Sequence, residues 1–150
     1  MTAEKGRHLY DVLRLVRPLV LNSARVVEAA LRPAGVTVGM RAVLEVLAEG
    51  GPAAVPAIGE RLDLPRQGVQ RHVNDLIALG LVESRKNPAH RRSALIALTT
   101  AGAGLFGRIR DSELARLGEL AADCTDEQIA AALTVLRALN RDVRKQAMGA

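Results

Sequence analysis

Residues 55–102 constrain the fold more than any other part of the chain, because they set a polar-faced helix between a short helical segment and a basic β-hairpin. In the middle helix, Val69, Val73, Leu76 and Ile77 recur at i, i+4, i+7 and i+8, one apolar stripe able to pack on a core. Gln67, Gln70, Arg71 and Asn74 recur at i, i+3, i+4 and i+7 on the other side. Such side chains reach base edges and phosphates. A solvated helix face has the same composition, so the residues C-terminal to the helix must decide. Gly80 can end the helix at low cost in a left-handed conformation. Leu81-Val82-Glu83-Ser84-Arg85 then reads as a strand, Asn87-Pro88-Ala89-His90-Arg91-Arg92 as a turn, and Ala94-Leu95-Ile96-Ala97-Leu98 as the returning strand. Thr99 or Thr100 can cap the next helix. Between residues 61 and 92, seven basic side chains oppose three acidic ones, a net +4 in a chain whose total is only +5. The excess positive charge therefore falls on the segments that would meet phosphates.

Helix, turn, helix and basic hairpin in this order make a winged helix-turn-helix. The sequence here resembles the MarR (multiple-antibiotic-resistance regulator) family of dimeric winged-helix transcription factors. Leu81-Val82-Glu83 after Gly80 is similar to the family's Gly-Leu-Val-acid step out of the recognition helix, and Leu98-Thr99-Thr100-Ala101-Gly102 to its Leu-Thr-x-x-Gly step out of the wing. Arg92 lies seven residues before Thr99, as does the family's wing-tip arginine. The order of elements matches over about the whole chain, whereas the specific motifs are confined to residues 55–102.

By this resemblance Gln67, Gln70 and Arg71 contact base edges. Arg66, Asn74, Arg85, Lys86 and Arg91 serve phosphates, and Arg92 serves a narrow minor groove by charge and shape. Three residues depart from the pattern. Pro65 stands where a serine cap is usual, which leaves Asp63 to cap the helix. Gly68 weakens the helix by about 1 kcal/mol relative to alanine but lets a backbone come close to a groove wall. His90 replaces the aspartate that orients the wing arginine, so either Asn87 or backbone carbonyls hold Arg92, or the wing is looser and His90 adds its own donor to a phosphate.

The flanks supply the remaining helices. Leu9, Val12, Leu13, Val16, Val20, Val27 and Leu31 predict one helix over roughly residues 7–32, with a kink, or an effective start, at Pro18. Thr37 caps a helix carrying Met40, Val43, Leu44 and Leu47 that stops at Gly50-Gly51-Pro52, and Pro56 starts a short helix through Ile58 and Leu62. Leu105, Phe106, Ile109, Leu114, Leu117 and Leu120 suggest another helix, weakened by Gly104 and Gly107. Thr125-Asp126-Glu127-Gln128 is a capping box, followed by a seam of Ile129, Ala132, Leu133, Leu136, Leu139 and Val143. The fold class is therefore mainly α with a small β-hairpin. It forms a single domain over residues 1–150, with dimerisation helices at 1–34 and 103–150 flanking a winged-helix DNA-binding lobe at 35–102. A homodimer would cover the apolar stripes left over, a monomeric helical bundle being the alternative.

Other classes find little support. No apolar run approaches the roughly 20 residues needed to cross a bilayer, and no signal-peptide layout is present, which points to a cytoplasmic protein with no membrane partner. The single cysteine, Cys124, excludes an internal disulfide and is expected to be a buried, inert thiol. His8, His72 and His90 are far apart and make no metal site with it; His72 reads as a partly buried helix residue. No glycine-rich phosphate loop or serine elbow appears, so neither a catalytic residue nor a cofactor is expected. The resemblance implies a ligand-responsive repressor that binds palindromic double-stranded DNA as a dimer. It places a possible small-molecule effector cleft near Tyr10, Arg14 and Phe106, although core and surface roles explain these three better. The alternative is a winged-helix module that docks another protein without reading DNA sequence.

Overall fold

The computed structural model describes residues 2–149. Its elements run α1 (Thr2–Leu31), a 3-10 turn (Arg32–Ala34), α2 (Val38–Gly50), α3 (Val55–Leu62), α4 (Arg66–Ala78), β1 (Val82–Arg85), β2 (Leu95–Leu98), α5 (Thr100–Leu117) and α6 (Asp126–Gly149). The chain divides after Arg110 into two compact units. Mainly helical architecture with one two-stranded hairpin is the class read from the sequence.

Pro18 does not mark the start of α1, which begins at Thr2 and runs unbroken through the proline. Pro18 cannot donate to the carbonyl of Arg14, but Arg14 lies on an exposed stretch of helix where water can satisfy that oxygen. Only Leu31 of α1 is buried; Tyr10, Leu13, Leu15, Leu19, Val20, Leu21 and Val26 are exposed.

The core of the first unit sits among α2, α3, α4, the hairpin and the first turns of α5. Val43, Leu44, Ile58, Val69, Val73 and Leu76 are fully buried, and Val82, Ile96 and Phe106 close the cluster. Burying each such side chain contributes about 1.5–3 kcal/mol. At the head of α2 the Thr37 hydroxyl accepts from the Met40 amide at 3.2 Å, and the Met40 sulfur accepts from the Thr37 amide at 3.5 Å. This is a capping box with a thioether in the usual place of Glu or Gln.

The end of α4 and the start of α5 are locked together through two glycines. Gly80 adopts φ +73°, the Leu81 amide donates to Leu76 O at 3.0 Å and the Gly80 amide to Ile77 O at 2.9 Å, a Schellman ending. Thr99 then bridges the two helices: its hydroxyl donates to Gly80 O at 2.7 Å and accepts from the Gly102 amide at 3.0 Å, while its own amide donates to Leu81 O at 3.1 Å. A Cβ at Gly102 would overlap the Leu81 carbonyl. Thus the two sequence steps at the base of the wing, Gly80-Leu81 and Thr99-x-x-Gly102, are the two halves of one contact.

The hairpin pairs Val82 with Leu98 and Arg85 with Leu95 in antiparallel register. Ala53 and Ile96 exchange backbone bonds at 3.0 and 2.8 Å, which ties the second strand to the segment leading into α3. That bridge fixes the direction in which the wing leaves the core.

In the second unit, Thr125 and Gln128 form the expected reciprocal cap, at 2.8 and 3.1 Å. Ile129, Leu133, Leu136 and Val143 of α6 are exposed. Leu120 lies beyond the end of α5. Cys124 is exposed rather than buried: it sits in the connector just before the cap of α6, where its backbone bonds to Ala121 and no apolar element covers it. Among the described residues no helix is long and apolar enough to cross a membrane.

Candidate nucleic-acid interface

The rotation of α4 about its axis is set by Val69, Val73 and Leu76, all fully buried. Gln67, Gln70, Arg71 and Asn74 are consequently exposed, as the periodicity requires. Ile77, expected on the buried stripe, is 42% exposed. It lies about 100° around the helix from Leu76, past the edge of the core, and lines a groove instead. Pro65 occupies the N-cap position without a side-chain cap bond, and Asp63 ends α3 in a left-handed conformation at φ +53°. His72 is half-buried, with its imidazole packed over Gly39 of α2 so closely that a Cβ there would overlap the ring.

Two basic hollows flank the wing. One, about 500 Å³, brings Arg66 and Gln70 of α4 opposite His90 and Arg92 of the wing, with Pro56 and Ile77 among its apolar lining. The other, about 670 Å³, lies within the hairpin and gathers Arg85, Lys86, Arg91 and Arg92 about Asn87. Arg71, exposed on α4, lines neither of these and borders a third hollow with Arg32, His72 and Asp75.

The turn at the wing tip is built by Asn87. Its side-chain oxygen accepts from the Ala89 amide at 3.0 Å and its backbone oxygen from the His90 amide at 3.2 Å. Asn87 therefore shapes the loop and does not orient Arg92. The Arg92 side chain makes no hydrogen bond or ion pair among the described residues, so its charge is available at the tip. Arg85 differs, because its Nε and Nη2 donate to Glu83 Oε1 at 3.1 and 2.7 Å. Sequence reasoning missed this pairing, although residues i and i+2 of a strand share one face. On α4 the Gln70 amide nitrogen donates to Asn74 Oδ1 at 2.9 Å.

Tyr10 and Arg14 are brought together on exposed α1, with the guanidinium carbon 5.7 Å from the ring centroid. Phe106 is not with them. It is sealed in the core, with Arg41 5.6 Å over its ring and Arg41 in turn 3.0 Å from Glu45. Among the described residues no three His, Cys, Asp or Glu side chains are grouped to hold a metal ion.

Comparison with known proteins gives the same architecture. A family profile described as "MarR family" matches residues 34–93. A crystal structure of a MarR family transcription regulator superposes with a TM-score of 0.85 at 33% identity, over 99% of this chain and 98% of the other. An uncharacterised protein of Mycobacterium tuberculosis is 36% identical over 126 residues, 84% of each chain. A mutant MarR from E. coli complexed with operator DNA shares the fold at a TM-score of 0.74 and 21% identity, over 88% of this chain and 95% of the other. The hairpin clipped at Gly80 and Gly102, the recognition-type helix and the profile match over the lobe agree with the full-length likeness, and the chain belongs to the MarR family of winged-helix transcription regulators.

Proposed function

We propose that this protein is a homodimeric repressor that reads a palindromic operator through α4 and grips the flanking minor groove with its wing. The observation that carries the reading is the groove in which Arg66 and Gln70 of α4 face His90 and Arg92 of the wing. Two elements that meet DNA in different grooves here present donors and positive charge to one side of a rigid core. Gln67, Gln70 and Arg71 reach base edges; Arg66, Lys86 and Arg91 take phosphates, as does Arg85 once a phosphate competes with Glu83. Arg92 enters the narrow groove, and His90 adds a donor beside it.

What the protomer leaves uncovered supports dimerisation. Leu15, Leu19 and Val20 of α1 and Ile129, Leu133 and Val143 of α6 are exposed, which favours a second copy of the chain as their cover. In this reading residues 1–34 and 103–150 hold the dimer and residues 35–102 carry the DNA-binding lobe. A two-fold pair places two α4 helices in successive major grooves, and occupancy of such a site excludes polymerase. Ligand response belongs to the same reading: Tyr10 with the Arg14 guanidinium over its ring offers an aromatic face beside a cation, suited to a small aromatic carboxylate.

The test is binding to duplexes selected from a random pool, followed over a range of salt. Nanomolar affinity for a symmetric site, well above the affinity for unrelated duplex at the same salt, supports the reading. Equal, weak binding to all duplexes would leave a winged-helix module that docks protein.

A further inference from the structure

On the exposed face of α4 the side chains of Gln70 and Asn74 are joined by a hydrogen bond. Both side chains are exposed, and the bond joins the Gln70 amide nitrogen to Asn74 Oδ1 at 2.9 Å, one helical turn on. Val69 and Val73, the neighbours of the pair on the buried side, are fully enclosed, so the backbone carrying both amides is held by the core. Gln70 also lines the groove shared with Arg66, His90 and Arg92.

A glutamine amide carries two N–H donors and one oxygen acceptor. With one N–H given to Asn74, Gln70 retains one donor and one acceptor side by side. Adenine presents N7, an acceptor, beside N6, a donor, in the major groove, which is the complement of that pair. Guanine presents two acceptors, N7 and O6, and the Gln70 oxygen would face one of them unpaired. An untethered glutamine can turn both N–H groups toward guanine. A tethered one is held against that choice.

We infer that Asn74 is a positioning residue that orients Gln70 to read adenine, and so sets a specificity that Gln70 alone would not have. This rests on the proposed entry of α4 into the major groove. It replaces the phosphate-contact role that sequence reasoning gives Asn74.

Anisotropy titrations at fixed salt test it. They compare wild type, Gln70→Ala, Asn74→Ala, Asn74→Asp and the double alanine variant on the selected operator and on a copy with guanine at the position where Gln70→Ala relaxes preference. Wild type is expected to prefer adenine by about tenfold or more. Asn74→Ala should cut that ratio at least about threefold and should have no effect on it in the Gln70→Ala background. Asn74→Asp keeps the acceptor, so the ratio should survive while added negative charge lowers affinity for both duplexes. An unchanged ratio in Asn74→Ala, an equal loss with Gln70 already removed, or a wild-type preference for guanine overturns the inference while leaving major-groove reading intact. A Gln70→Ala variant with undiminished preference at every position overturns the reading by this face, and the inference with it.

Discussion

Gly68 is the position where stability and DNA binding should move in opposite directions. It lies in the first turn of α4, and the nearest atom that a Cβ there would meet is Pro65 Cγ, at 4.0 Å. Nothing inside the chain requires a glycine. Gly68→Ala should therefore stabilise the fold by about 0.5–1 kcal/mol, through the smaller entropy loss of alanine in a helix. For a chain of this length that is a rise in Tm of about 1–4 °C. In the proposed docking, with the first turn of α4 inside the major groove, the same methyl group would stand between the flank of the helix and the groove wall. Lifting the helix enough to lose one or two contacts costs about 1–3 kcal/mol, or roughly 5–150-fold in operator affinity. Circular dichroism melts and anisotropy titrations at matched salt read the two effects separately. A lowered Tm would refute the open space around Gly68. A raised Tm with unchanged affinity would refute close approach of α4 to DNA at this residue.

Gly102→Ala should behave oppositely, because its methyl group would collide with the Leu81 carbonyl where wing and α5 are clipped together; a loss of about 1–3 kcal/mol or more in denaturant unfolding is expected, and an unchanged midpoint would show that the clip is loose. Arg92→Ala removes an exposed side chain with no ion-pair partner among the described residues, so the melt should stay within about 1 °C while specific affinity falls by about 1–3 kcal/mol. Equal affinity at matched salt would place the wing away from DNA. Leu133→Glu on the exposed face of α6 should convert a dimer to a monomer in sedimentation velocity at micromolar concentration without unfolding the helix; a persistent dimer would put the interface elsewhere.

Periodicity locates the buried side of α4 through Val69, Val73 and Leu76, and the two motifs at the base of the hairpin locate the wing. These are legible because helical period and glycine chemistry are local. The width of the core is not local, and this is why Ile77, at the edge of the same stripe, turns out to line a groove. Pro18 argues for a kink or a helix start, yet α1 is helical on both sides of it, the cost of one missing bond being met by the other turns of a thirty-residue helix. Cys124 is exposed against expectation because burial depends on what packs over a connector, which composition does not record. In the candidate site, the residue types are readable but their partners are not. Glu83 holds Arg85, Asn87 closes the turn beneath Arg92, and Asn74 bonds to Gln70, three pairings fixed by backbone geometry.

Selection of duplexes from a random pool by the purified protein, with wild type and Arg71→Ala run side by side, tests sequence reading most directly. Wild type is expected to enrich a two-fold symmetric site whose half-site centres lie about one helical turn apart, and Arg71→Ala to lose preference at matching base pairs in both halves. A pool that stays random while binding remains salt-sensitive would contradict the account, leaving α4 and the wing as a surface that attracts phosphates without reading bases.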